Sequence, residues 1–195
     1  FGEISYILNT NYIQIINNPY QILSEYSQNP ENYFTYREPY VLNFIFNDDI
    51  FTLINIHYKC CGDGVLDLYD INDQEYNRYQ CSILLDEYIS DSHSSDNVIV
   101  VGDFNDELND VEVNNVFSPF LSQPLKYKFT DIEIEINNDI SYYSYPTWPS
   151  HLDHILISNE LFQLFENDNS TVLTIRLEDM LSGGWNEYEQ YISDH

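Results

Sequence analysis

The stretch Asn97-Val98-Ile99-Val100-Val101-Gly102-Asp103-Phe104-Asn105-Asp106 constrains the fold of this chain more than any other. Its apolar, mostly β-branched run reads as a buried strand, because branched side chains suit a pleated surface and lose χ1 freedom in a helix. Gly102 breaks the run, and an acid and an amide follow two residues apart at its carboxyl end. In open α/β sheets ligands bind beyond the carboxyl ends of strands, where a rigid backbone presents loop side chains. Asp103 offers acceptor oxygens to a hard cation, and Asn105 offers both a donor and an acceptor. Taken locally, Asp-x-Asn after Gly is more simply a capped turn leading into a helix.

Around this strand the pattern mixes hairpins with strand–helix–strand units. Residues 5–8 and 12–16 predict two strands about an Asn9-Thr10-Asn11 turn, and residues 27–33 a loop containing Pro30. Residues 42–46 and 51–57 predict a β-hairpin turning at Asp48-Asp49. Residues 74–89 predict the best helix, with Tyr76, Tyr79 and Ile83 stepping by three and four, and Leu84 and Tyr88 widening the apolar face. Further on, the pattern predicts a short helix over 113–121, strands over 127–134 and 152–157, and a helix over 160–165 capped by Asn159. Residues 171–175 read as β-like, and Gly183-Gly184 as a turn. With no internal repeat and no Pro/Gly/Ser-rich linker, residues 1–195 are expected to form one α/β domain with mixed sheets.

Charge limits the function classes. Acids outnumber bases 33 to 6, for a net charge of −27, so the surface repels polyanions and cannot grip nucleic acid by Lys/Arg neutralisation alone. A divalent cation inverts that sign locally, so a phosphate-handling site stays open. The acids are dispersed, and 18 Tyr and 11 Phe supply ample apolar area, which argues for a folded chain. No apolar run approaches the roughly 20 residues of a membrane span. Of the cysteines, Cys60 and Cys61 are neighbours, whose mutual pairing is strained. Either a pairing of one of them with Cys81 or plain buried thiols is expected, and no His pattern accompanies them for zinc.

Polar, titratable residues gather at strand ends: His57 after residues 51–56, Asp103 and Asn105 after the central run, Asp194 and His195 after Ile192. Asp153 shares a strand face with Ile155 and Ile157, and a carboxylate between apolar neighbours needs a partner such as a nearby His. Gly102-Asp103-Phe104-Asn105, Leu152-Asp153-His154-Ile155-Leu156 and Ser193-Asp194-His195 resemble, in order, signature blocks of the endonuclease/exonuclease/phosphatase superfamily. Arg37-Glu38-Pro39 and Asn55-Ile56-His57-Tyr58-Lys59 are similar to blocks of its deoxyribonuclease-like branch, which includes secreted bacterial enzymes.

The resemblance implies a four-layer sandwich of two mixed β-sheets flanked by helices, and metal-dependent cleavage of a phosphoester. It implies His195 as the general base, oriented by Asp153, and His57 as acid or hydrogen-bond donor at the leaving oxygen. Asp103 and Asn105 would position phosphate and ion, Asp194 would be a further metal ligand, and Arg37 would neutralise the scissile phosphate. Glu3 matches the carboxylate that partners the first catalytic His. The ion would be Mg²⁺ or Mn²⁺. The family's metal-binding Glu strand and its final strand are not in this sequence, so a catalytic-domain fragment cut at both ends is expected. The expected substrate is nucleic acid, the expected state a monomer, and the expected location secreted or extracellular. A small phosphoester or phospholipid substrate is the alternative within enzymes, and a non-catalytic acidic cation-binding module the alternative outside them.

Other residues have plainer readings. His151 and His154 are expected to be structural or at the substrate rim, and Trp148 to pack at the core or rim rather than stack on a base. Asp106, Glu107, Asp110 and Glu112 read as a solvated helix face, Lys59 as surface. Asp63 reads as a turn residue first and a structural Ca²⁺ ligand second.

Overall fold

A computed structural model describes residues 4–27, 32–137, 139–167 and 170–195. Its frame is one seven-stranded mixed sheet. Strands β1 (Gln14–Ile15) and β2 (Tyr20–Gln21) both pair with β3 (Tyr40–Phe46), which forms an antiparallel hairpin with β4 (Asp49–His57). The hairpin turns at Asn47-Asp48, one residue earlier than predicted. Both have positive φ, 51° and 68°, as a two-residue turn that matches strand twist requires. Helix α1 (Gln74–Ser92) then crosses over, and β5 (Asn97–Asp103) runs parallel to β4. Strand β7 (Asp153–Ser158) pairs antiparallel with β5, and β6 (Tyr127–Phe129) closes the far edge on β7.

The two faces of the sheet differ. Alternate residues Thr52, Ile54 and Ile56 of β4 and Val98 and Val100 of β5 are buried, and the apolar ones share a core with Cys81, Leu85 and Ile89 of α1. Those helical positions step by four, so one face of α1 covers the sheet. Asp73 starts the helix by accepting a 2.9 Å hydrogen bond from Tyr76 N, the expected action of an Asp N-cap. The opposite row, Leu53, Asn55 and His57 with Ile99, Val101 and Asp103, is half-buried. Among the described residues all the named strands belong to this one sheet, and a second sheet is not formed.

Several local expectations fail for identifiable reasons. Residues 5–8 are not a strand; instead the Tyr6 hydroxyl bonds the backbone of Tyr40, Leu53 and Asn55, and its ring stacks on Tyr40. The predicted strand over 127–134 stops at Phe129, and helix α3 (Ile132–Ile136) follows. The short helix α2 (Ser118–Leu121) occupies only the end of the 113–121 prediction, starting with Pro119 in its first turn, where a missing N–H costs nothing. Residues 159–165 are a 3₁₀ turn running into α4 (Phe162–Phe165). Asn159 lies inside that turn rather than capping it, and Ser158 Oγ is engaged with Asp96 O and Val98 N. Residues 171–175 are irregular, and Gly184 opens a helix, α5 (Gly184–Tyr191), that the Gly-Gly pair concealed.

The cysteines do not pair across the core. Cys81 is fully buried, whereas Cys60 and Cys61 are exposed free thiols, so the pairing with Cys81 is absent and only one of the three is a buried thiol. No helix among the described residues is long and apolar enough to cross a membrane.

Candidate active site

Strand register assembles the site. His57 is paired with Asp103, and Asp103 with Asp153, so three titratable residues stand in one row across β4, β5 and β7. They lie on the half-buried face, at the carboxyl ends of β4 and β5 and the amino end of β7. Asp153 thus opens its strand rather than sitting within it. Gly102 makes the close approach: a Cβ there would meet Ile56 O at 2.0 Å, and its φ of +133° disfavours any side chain.

The loop after β5 is locked by backbone bonds. Tyr58 N donates to Asp103 O and Phe104 N to Leu152 O, each at 2.8 Å. Phe104 is fully buried between the rings of Tyr58, Phe117, Phe129 and His154, at centroid distances of 5.4–5.8 Å. That anchor fixes its neighbours Asp103 and Asn105. Asn105 adopts φ 54°, and its N donates to Asp103 Oδ1 at 2.8 Å. Its Nδ2 donates to Asp103 Oδ2 at 2.8 Å and to Tyr58 O at 3.0 Å. Both amide hydrogens are therefore occupied, and the carbonyl oxygen is what Asn105 has to offer a ligand.

His195 closes the row from the chain's far end. Its Nδ1 donates to Asp153 Oδ2 at 2.6 Å, which leaves Nε2 as the proton acceptor of the neutral ring, 3.7 Å from Asp103 Oδ2. The hydrogen bond and charge of Asp153 raise the His195 pKa, and burial opposes them. Burial alone would push the Asp153 carboxyl up, but the bond from His195 outweighs it and holds the group low. His57 Nε2 lies 3.3 Å from Asp103 Oδ2; burial and the Arg37 and His195 charges lower its pKa to about 4, so it is a neutral N–H donor near pH 7. Burial and the neighbouring Asp153 charge raise the Asp103 pKa to about 6, against the pull of His195 and Arg37.

These groups line one open cleft of about 860 Å³ together with Arg37, Asn105 and Asp194. Every expected site residue thus meets in one place except Glu3, which lies outside the described residues. Arg37 is steered by 3.1 and 3.2 Å bonds to Tyr58 O and Thr35 Oγ1. Asp194 is exposed. Asp103, Asp194 and the Asn105 carbonyl make an all-oxygen donor set, which fits a hard divalent cation. Among the described residues, the groups of acids and histidines that bring three ligand atoms within 4.8 Å of one another lie elsewhere: Asp131 with His151 and His154, and Asp63 with Asp73 and Glu75.

Sequence reasoning missed the supports of the site. His151 Nε2 and His154 Nδ1 both bond Asp131 Oδ2, at 2.9 and 2.6 Å, and Ile155 N donates to Asp131 Oδ1 at 2.9 Å. Both histidines are buried, which makes them structural and not rim residues. Arg78 is buried as well. It donates to Asp106 Oδ2 at 2.8 Å and to the carbonyls of Lys59 and Cys61 at 2.9 and 2.7 Å, tying the loop after His57 to the loop after Asn105. The acidic run is accordingly not a solvated helix face: Asp106 is paired to Arg78, and the 106–112 backbone is turns. Trp148 is an exposed rim residue, and Tyr145 packs its ring 5.1 Å from that of His195. Only a long-range pairing logic, buried cation seeking buried acid, would have found Arg78 and Asp131.

The mixed sheet with its helices is an α/β fold of the deoxyribonuclease-like kind. The chain belongs to the Endonuclease/Exonuclease/phosphatase family, whose model matches residues 23–195. Members of this family hydrolyse phosphoesters and usually use a divalent metal. Among solved structures, D. rerio TDP2 humanized by 14 mutations is similar at TM-score 0.53 and 13% identity, over 77% of this chain and 54% of that one. D. rerio TDP2 complexed with a single-strand DNA product is similar at TM-score 0.52 and 15% identity, over 77% and 55%. The chain spans about half the length of these structures, and the likeness is one of fold. No curated protein sequence matches it.

Proposed function

We propose that the chain is a metal-dependent phosphodiester hydrolase acting as an endonuclease on DNA or RNA. The observation that carries this reading is the His57–Asp103–Asp153 row with His195 bonded to its end. Asp153 fixes the tautomer of His195, so Nε2 is the atom that takes a proton from an attacking water. Arg37 supplies positive charge for the phosphate oxygens at the cleft wall. His57, held neutral, donates its N–H to the leaving oxygen. Asp103 holds Asn105 and the His57 side of the site in place, and the Asn105 carbonyl, Asp103 and Asp194 would hold the ion. When bound, a divalent cation supplies Lewis-acid polarisation of a phosphoryl oxygen and offsets the acidic surface. The DNA product bound by the TDP2 relative supports a nucleic-acid substrate.

A small phosphoester is the second reading, favoured by the net charge of −27, since a compact substrate needs no basic groove. Nicking of supercoiled plasmid with Mg²⁺ or Mn²⁺, run beside hydrolysis of a small phosphodiester, separates the two. Metal-dependent nicking supports the endonuclease; hydrolysis of the small ester alone keeps the chemistry and replaces the substrate.

A further inference from the structure

We infer that Asp63, Asp73 and Glu75 form a second cation site, suited to Ca²⁺, on the loop that walls the catalytic cleft. This rests on geometry separate from the catalytic row. One oxygen from each carboxylate lies within 4.8 Å of the others. Glu75 is 2% exposed, and its Oε2 is buried without a hydrogen-bond partner. A buried carboxylate oxygen lacking a donor is costly.

Backbone amides hold the carboxylates in place. Val65 N donates to Asp63 Oδ1 at 3.0 Å, Tyr76 N and Asp67 N to Asp73 Oδ2 at 2.9 and 3.0 Å, and Gly64 N to Glu75 Oε1 at 2.6 Å. The cationic contact of Glu75 is Arg78 Nη2 at 3.3 Å, and Arg78 is shared with Asp106. One guanidinium thus faces Glu75 and Asp106, and Asp63 and Asp73 have no ion pair among the described residues. Gly62 completes the cradle: a Cβ there would sit 2.1 Å from Glu75 Oε1, so the loop backbone lies directly on the carboxylate. The donor set is oxygen only, with Asp63 on the loop and Asp73 and Glu75 at the start of α1. Carboxylates drawn from a loop and a helix end suit the irregular coordination of Ca²⁺ better than the strict octahedron of Mg²⁺. Bound there, the ion would fasten residues 61–75 to α1, and through Arg78 steady the loop that follows Asn105.

Ca²⁺ binding to chelator-stripped chain, measured by calorimetry and by the thermal midpoint, tests this without reference to turnover. Ca²⁺ should bind at this site and raise the midpoint, separately from any ion taken up in the cleft. Asp194→Asn should keep that binding, whereas Glu75→Gln and Asp63→Asn should each weaken it at least tenfold. Asp63 is exposed, so its variant reports even if Glu75→Gln fails to fold. Absence of binding at millimolar Ca²⁺, unchanged affinity in the folded variants, or loss of binding in Asp194→Asn would overturn the assignment.

Discussion

Asp131 is the residue whose replacement tests the architecture behind the site most severely. It is 3% exposed and accepts three hydrogen bonds, from His151, His154 and Ile155 N, at 2.6–2.9 Å. Asp131→Asn keeps the shape but removes the charge, and points an amide donor at two imidazoles that need an acceptor. Breaking one side of such a buried pair costs about 3–5 kcal/mol. With a urea m-value of about 3 kcal/mol/M for a chain of this size, the midpoint should fall by about 1–2 M with m unchanged. The pH dependence should change too. Burial raises the Asp131 pKa, but the bonds from His151 and His154 outweigh it, so the folded value lies well below 3.8. Its stabilisation is present above 3.8 and lost as pH falls through the folded value. Burial lowers the His154 pKa, but Asp131 outweighs that and raises it above 6.5; this stabilisation is complete below 6.5 and lost as pH rises through the folded value. Wild-type stability from this pair should therefore be greatest between the two ordinary values, and Asp131→Asn should flatten both flanks. A midpoint within about 0.3 M of wild type, or unaltered flanks, would refute the reasoning.

Further outcomes follow from the same contacts. Gly102→Ala places a Cβ against Ile56 O and forces a +133° φ, and should cost at least about 2 kcal/mol in chemical denaturation. Phe104→Ala removes the aromatic anchor beneath the loop that carries Asp103 and Asn105 and should cost about 3–5 kcal/mol by the same measurement. Asp153→Asn should leave folding by circular dichroism intact, yet lower kcat by about 10²–10⁴, because an amide can donate to Nδ1 of His195 and no longer enforces the tautomer in which Nε2 accepts.

Much of this was legible along the chain. The run before Gly102 is a strong local signal, and helix α1 is where its sequence predicts. Its expected face of Tyr76, Tyr79, Ile83, Leu84 and Tyr88 is only half-buried, because Cys81, Leu85 and Ile89 are the residues that cover the sheet. Strand-end polar residues converge because parallel pairing of β4 with β5 aligns their carboxyl ends. What stayed hidden depended on partners distant in sequence. Ile132-Glu133-Ile134-Glu135-Ile136 alternates like a strand, yet Glu135 is buried and Ile136 exposed, because Glu135 accepts from Leu108 N and Asn109 N, each at 2.9 Å. That pairing reverses what alternation implies. Arg78 and Asp131 were silent for the same reason: neither is remarkable locally, and each becomes structural only when a remote acid or imidazole meets it.

The most direct test of the proposed chemistry is the rate of supercoiled plasmid nicking by wild-type chain and His195→Ala, with Mn²⁺ and with chelator. The proposal predicts metal-dependent nicking that falls by about 10²–10⁴ in the variant, whose fold is unchanged. Nicking that survives His195→Ala, or proceeds equally in chelator, would contradict it.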